Sequence, residues 1–124
     1  KNLLNAYIKK NNLTSYIYLY DYLSKKQVNY LYKKCLAIIS PSLYEGYGMT
    51  LLEAIYFKKR CIVSDIPAHR EICDKANTSF FDPFSPNDIA KKIELFLKNP
   101  NKNKFKSICN PKVSINKYIN EIMN

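Results

Sequence analysis

The only two glycines of this 124-residue chain, Gly46 and Gly48, stand between an apolar run and a helical repeat. That junction constrains the fold more than any other stretch. Leu36 to Ile39 reads as a buried strand, and Pro41, with no amide proton for a ladder, ends it. Beyond the glycines, Met49, Leu51, Leu52, Ile55 and Tyr56 recur at helical spacing. The predicted order is therefore strand, glycine loop, helix. Such a junction aims free backbone N–H groups and the positive end of a helix dipole at one point, which suits a phosphate.

Two carboxylates bracket that point, Glu45 before the helix and Glu53 inside it. At about 1.5 Å rise per residue, Glu53 falls roughly 7 Å down the helix from the anion point. That is about the span from a diphosphate to the ribose of the same nucleotide, and a carboxylate there can accept hydrogen bonds from both ribose hydroxyls. Glu45 lies on the other side, toward whatever the diphosphate carries; an acceptor suits a sugar, which offers hydroxyl donors. The plainer alternative makes Glu53 an exposed helix residue and Glu45 a loop carboxylate. A Gly-x-Gly pair is a weak signal, so residue types alone leave both open.

Strand-like and helix-like segments alternate along the rest of the chain. Leu3, Leu4, Tyr7 and Ile8 form one face of a first helix, ended by Asn11-Asn12. Tyr16 to Tyr20 is rich in β-formers and is predicted to be a strand. Ser24 caps a helix over Lys25 to Lys34, with Val28, Leu31 and Tyr32 inward. After the helix at 49–57, Lys58-Lys59-Arg60 supplies positive charge to its negative end. A strand at 61–65 comes next, then a short helix opened by Pro67 and running to Cys73. Thr78 to Phe81 is a last short strand. Ser85-Pro86 opens a helix with Ile89, Ile93, Phe96 and Leu97 as its apolar stripe. Residues 99–110 read as a surface connection, with Phe105 and Ile108 packing a short helix there. Val113 to Met123 reads as a final helix with Ile115, Tyr118, Ile119 and Met123 inward. Alternation of this kind predicts an α/β fold, a parallel sheet with flanking helices.

Composition narrows the class. Hydrophobic residues make up 47%, which is a globular proportion. No apolar run approaches the roughly 20 residues of a membrane span, and nothing at Lys1 reads as a signal peptide. The net charge of +10 comes almost wholly from lysine, in pairs at 9-10, 25-26, 33-34, 58-59 and 91-92. A functional basic face and an A/T-rich coding sequence both account for it. Cys35, Cys61, Cys73 and Cys109 lack CxxC spacing, so no zinc or redox motif is expected and no metal site is assigned. Cys35 and Cys61 open predicted strands and read as small core residues; reduced thiols place the expectation in the cytoplasm.

The spacing of the carboxylates carries a resemblance. Glu45 and Glu53 form Glu-x7-Glu within Pro-Ser-x-x-Glu-Gly-Tyr-Gly-Met-x-Leu-x-Glu-Ala. This resembles the nucleotide-sugar motif of glycosyltransferase family 4, whose members have the GT-B fold. Tyr22-Leu23-Ser24 and Leu31-Tyr32-Lys33-Lys34-Cys35-Leu36 look like the family's sequence before the motif. Cys61-Ile62-Val63-Ser64-Asp65, Glu71-Ile72 and Phe81-Asp82-Pro83 look like the family's sequence after it. The match runs from about Ala6 to Asn99.

The resemblance implies a Rossmann-like, C-terminal, donor-binding domain of a GT-B enzyme, here incomplete. The acceptor domain and the first two strands of this domain are missing from 1–124, so the chain reads as a fragment; otherwise the strand at 16–20 has moved to close the gap. It implies a hexosyltransferase that takes a nucleoside-diphosphate sugar, without a further cofactor, and moves the hexose with retention to a glycan or lipid-linked acceptor. Glu45 would hold the transferred hexose at the catalytic point, beside the amides of Gly46, Tyr47 and Gly48. Met49 and Thr50 would meet the diphosphate, Glu53 the ribose, and the backbone of Tyr22 and Leu23 the base. Asp21 stands where the family usually has Gly, a departure that bears on base recognition. The family's diphosphate-neutralising Arg and Lys belong to the missing upstream part, so little turnover is expected of this chain alone. A lipid-linked acceptor implies peripheral contact with the inner face of a membrane, where lysine pairs favour anionic headgroups.

No residue is a convincing acid or base. His69 and Arg70, at a predicted helix start, read as surface groups or as groups near an acceptor or phosphate; Glu71 reads as a brace for the site. Two other classes stay in view. Eleven tyrosines and the positive charge would fit a basic nucleic-acid-binding module, but most of the tyrosines fall at predicted inward positions, so nucleic acid is not the expected partner. A catalytically inactive homologue acting as a scaffold is the other; the intact pair Glu45 and Glu53 argues against it.

Overall fold

The computed structural model describes residues 2–73 and 77–99. Within them the order is α1 (Asn2–Lys10), α2 (Lys25–Lys34), β1 (Ala37–Ser40), α3 (Met49–Tyr56), β2 (Arg60–Ser64), α4 (Pro67–Ile72), β3 (Thr78–Phe81) and α5 (Pro86–Lys98). The predicted helix at 113–123, the surface connection with its short helix and Cys109 lie outside the described residues.

The three strands form one parallel sheet in the order β1-β2-β3. Ala37 to Ser40 pair with Arg60 to Val63, and Cys61 to Ser64 with Thr78 to Phe81. Parallel pairing brings the carboxyl ends of all three strands to one edge. The loop carrying both glycines leaves from that edge.

Central β2 is buried on both faces, as a strand covered by helices on each side should be. Its alternation sorts two cores. Cys61 and Val63 meet Leu51 and Ala54 of α3, Tyr32 of α2 and Cys73, with Val28, Phe57 and Ile72 packed around them. Ile62 faces the other way, onto Phe81 and Phe96, with Ile89 and Ile93 of α5. The arrangement is a Rossmann-like α/β sandwich. Each fully buried aliphatic side chain contributes about 1.5–3 kcal/mol.

Local signals explain the helix ends. Ser24 caps α2 and forms a reciprocal capping box with Gln27. Ser85 accepts from the Asp88 amide, with Pro86 in the first turn of α5. α3 ends in a Schellman close: the Lys58 amide bonds Ile55 O, the Lys59 amide bonds Ala54 O, and Lys58 takes the left-handed conformation at φ 54°. The Lys59 ammonium does not serve α3, as its position predicts. It reaches the carbonyls of Lys33 and Cys35 at 2.9 and 3.0 Å and neutralises the end of α2 instead. Arg60 lies over the Phe96 ring at 4.5 Å and binds Asn99 O, tying β2 to α5.

Several expectations are corrected. Residues 16–20 form no strand. The amides of Tyr16 and Ile17 both bond Leu13 O in a local turn, so they are not offered to a ladder, and β1 has β2 as its partner. Strand β1 begins at Ala37, and Cys35 is the C-cap of α2, half-buried rather than in the core. Of the apolar face on α1 only Ile8 is buried; Leu3, Leu4 and Tyr7 are exposed. Leu31 and Leu97, expected inward, are exposed. Most tyrosines are not inward either. Tyr32 is buried, whereas Tyr7, Tyr16, Tyr18, Tyr20, Tyr22, Tyr30, Tyr44, Tyr47 and Tyr56 are exposed. Among the described residues no helix is long and apolar enough to cross a membrane.

Candidate functional site

Gly48 caps α3 in the left-handed conformation, φ 63° and ψ 43°, and makes no side-chain cap bond to the first turn. The first-turn N–H groups, at Met49 and Thr50, therefore receive no side-chain cap from Gly48 at the positive end of the helix dipole. Met49 is half-buried and Thr50 exposed, so hydroxyl and backbone are both reachable. A Cβ on Gly48 would meet Ile72 Cδ1 at 2.8 Å, whereas one on Gly46 would meet nothing within 4 Å. The two glycines thus do different work. Gly48 supplies a backbone angle and room for α4; Gly46 leaves an open approach.

Both carboxylates stand at this end of the molecule, half-buried. The Ser42 hydroxyl donates to Glu45 Oε1 at 2.7 Å and folds that carboxylate back against its own loop. Ser42 lies 3.5 Å from the Ser40 hydroxyl, and Ser64 donates to Ser40 O, so the loop root is tied to β1 and β2. Glu53, one turn into α3, accepts at Oε2 from the Tyr32 hydroxyl of α2 at 2.8 Å. Burial, and then the hydrogen bond to Glu53, push the Tyr32 phenol well above its ordinary range, so it remains a neutral donor.

Gly46, Tyr47, Leu52, Ala68, Glu71 and Ile72 line a cleft of about 140 Å³. That is below the roughly 300 Å³ at which ligand pockets usually begin, so it can seat only part of a nucleotide sugar. Glu71 faces this cleft from α4. Larger hollows exist, but they lie away from the uncapped helix. One, about 420 Å³, is lined by Asp65, Phe80, Asp82, Asp88 and Lys92 among others. The other, about 360 Å³, is lined by Tyr20, Leu23, Lys26, Gln27, Tyr30 and Leu31. Leu23 belongs to that second hollow and Tyr22 is 85% exposed. Neither residue of the predicted base-lining pair is among the residues lining the cleft beside Gly46 and Tyr47.

His69 overturns one of its expected roles. It is fully buried, not a surface group at a helix start. Its Nδ1 lies 2.8 Å from Ser64 O, and since a carbonyl only accepts, Nδ1 carries the proton. It pins α4 to the end of β2. Arg70 forms a two-pronged ion pair with Asp65 on the surface. Residue types did not single out Tyr32 or Ser42, although signals existed. A tyrosine on an inward helix face needs a partner for its hydroxyl, and a serine three residues before a glutamate can reach it.

Residues 1–107 match the family described as glycosyl transferases, group 1. The chain belongs to that family. Serotype-specific mannosyltransferases WbdA of Escherichia coli are similar to it, 39% identical over 67 residues. The similarity covers 54% of this chain and 8% of each of those relatives. The chain thus corresponds to a small part of proteins that are far longer.

Proposed function

We infer that the chain is the donor-binding part of a hexosyltransferase using a nucleoside-diphosphate hexose. The observation that carries this is the placing of Glu45 and Glu53 at an uncapped helix start formed by Gly48. The first-turn amides and the Thr50 hydroxyl hold the diphosphate. Glu53 accepts from the ribose, and Glu45 accepts from the hexose at the point of transfer. Similarity to mannosyltransferases supports mannose as that hexose. Retention at the anomeric carbon and the GT-B arrangement rest on the resemblance of the motif.

The partners proposed are a glycan or lipid-linked acceptor, in polysaccharide synthesis, and an upstream part of the same enzyme. That part would supply two strands beside β1, the acceptor domain and the cations that stabilise the leaving diphosphate. The cytoplasm is the proposed location, with peripheral contact at the inner membrane face. Flotation on vesicles of increasing anionic lipid tests that contact; indifference to lipid charge rules it out.

Calorimetric titration with UDP and GDP tests the central assignment. One of the two should bind, and Glu53→Ala should weaken it about tenfold through lost charged hydrogen bonds to the ribose. Wild-type affinity in that variant removes the assignment. The exposed tyrosines and the net charge of +10 favour one competing role, single-stranded nucleic acid binding. Oligonucleotide affinity with a steep salt slope and no response to Glu53→Ala would select it.

A further inference from the structure

Glu53 has two oxygens, and the protein already uses one of them. The Tyr32 hydroxyl is 2.8 Å from Oε2 and 3.2 Å from the Thr50 carbonyl oxygen. A phenol has one proton to donate. The charged acceptor is the nearer and the stronger, so the proton goes chiefly to Glu53. The phenol is fixed before any ligand arrives. Tyr32 is 6% exposed, and its ring stacks on Phe57 with centroids 5.2 Å apart and planes within 6°. The ring belongs to the core formed with Leu51, Ala54, Cys61 and Val63. Its hydroxyl is the polar end of an otherwise apolar contact, aimed at one carboxylate oxygen 21 residues along the chain.

We propose that Tyr32 is the positioning residue for Glu53: it holds Oε2, sets the carboxylate plane, and presents Oε1 as the oxygen that accepts from the ribose. This rests on the assignment of Glu53 to the ribose. It adds that ribose recognition is built across two helices, because α2 supplies the donor that orients an acceptor on α3. A carboxylate turning freely about its terminal bonds would have to be ordered by the ligand itself, at a cost in affinity. Tyr32 removes that cost in advance.

The test is titration with whichever of UDP and GDP binds, beside its 2′,3′-dideoxy counterpart. The readout is the affinity ratio between the two. In the wild type the ribonucleotide should bind about tenfold tighter, the worth of a charged hydrogen bond. Tyr32→Phe should cut that ratio to about threefold or less while affinity for the dideoxynucleotide stays the same, since a disordered acceptor forfeits part of such a bond. A general loss of structure would weaken both ligands alike. Glu53→Gln should abolish the ratio, and the double variant should be no worse than Glu53→Gln. Should Tyr32→Phe fail to fold, 4-fluorophenylalanine at position 32 fills the oxygen's space without a proton and should give the same reduced ratio.

An unchanged ratio in both Tyr32 variants, with the ratio lost in Glu53→Gln, overturns the positioning role and leaves the ribose assignment standing. An unchanged ratio in Glu53→Gln overturns both. Equal weakening of both nucleotides by a folded Tyr32 variant overturns the positioning role as well.

Discussion

Ile72 Cδ1 occupies the space that a side chain on Gly48 would need, 2.8 Å from where its Cβ would stand. The start of α3 and the end of α4 are therefore fitted to each other at a backbone angle that side chains rarely adopt. Gly48→Ala should destabilise the protein by about 1–2 kcal/mol through the left-handed conformation alone, with Ile72 displaced in addition. Gly46→Ala, which meets nothing, should stay within about 0.5 kcal/mol. Thermal unfolding of the two variants measures the difference. Nucleotide titration should show the Gly48 variant also binding more weakly, because the first-turn amides move with it.

Lys58 holds the same kind of backbone angle, φ 54°, at the other end of α3. Here the residue is not glycine, so the strain is unrelieved. Lys58→Gly should raise stability by about 1 kcal/mol, less the extra entropy of glycine in the unfolded chain. Lys59→Ala should lower it by about 1 kcal/mol, since the carbonyls of Lys33 and Cys35 lose a charged donor at the end of α2. Opposite signs at adjacent lysines would separate backbone strain from charge. Denaturant midpoints provide the measurement.

Ser42→Ala removes the donor to Glu45 Oε1 without touching the core. Stability should change by less than about 1 kcal/mol, as for a half-buried hydrogen bond. The effect should appear in the sugar part of the donor. The variant should bind the free nucleoside diphosphate normally and the nucleotide sugar more weakly. Equal loss for both ligands would place Glu45 on the diphosphate instead.

Tyr32 gives the pH dependence a sign. Burial and the Glu53 hydrogen bond hold its folded phenol above the ordinary value of 10.0. The unfolded chain then ionises first as pH rises. The contribution of neutral Tyr32 is complete below pH 10 and is lost progressively above it. Melting temperatures should therefore fall on the alkaline side, and Tyr32→Phe should make the part above pH 10 shallower. An identical profile in that variant would show that Tyr32 ionises as easily folded as unfolded.

Local chemistry was legible from residue order. The start of α2 at Ser24, the start of α5 at Ser85-Pro86, the glycine turn and the three strands at 37–40, 60–64 and 78–81 all follow from caps, periodicity and missing amide protons. The two carboxylates were legible from their spacing on either side of that turn. The strand expected at 16–20 was not, because a strand exists only with a neighbour, and the amides of Tyr16 and Ile17 are spent in a turn on Leu13. Exposure of Leu31, Leu97 and the many tyrosines was not legible either, since periodicity names a face without saying what lies over it.

The sequence by itself determined the strand, glycine turn and helix and which two acidic side chains flank that turn, because glycine, proline and helical spacing act over a few neighbouring residues. Only the tertiary structure decided how those side chains are held. Tyr32 meets Glu53 across 21 residues, Ile72 meets Gly48 across two elements, and His69 is buried against Ser64 instead of facing water. Such contacts depend on which faces the parallel sheet brings together, and the order of the chain does not name the partner at that range.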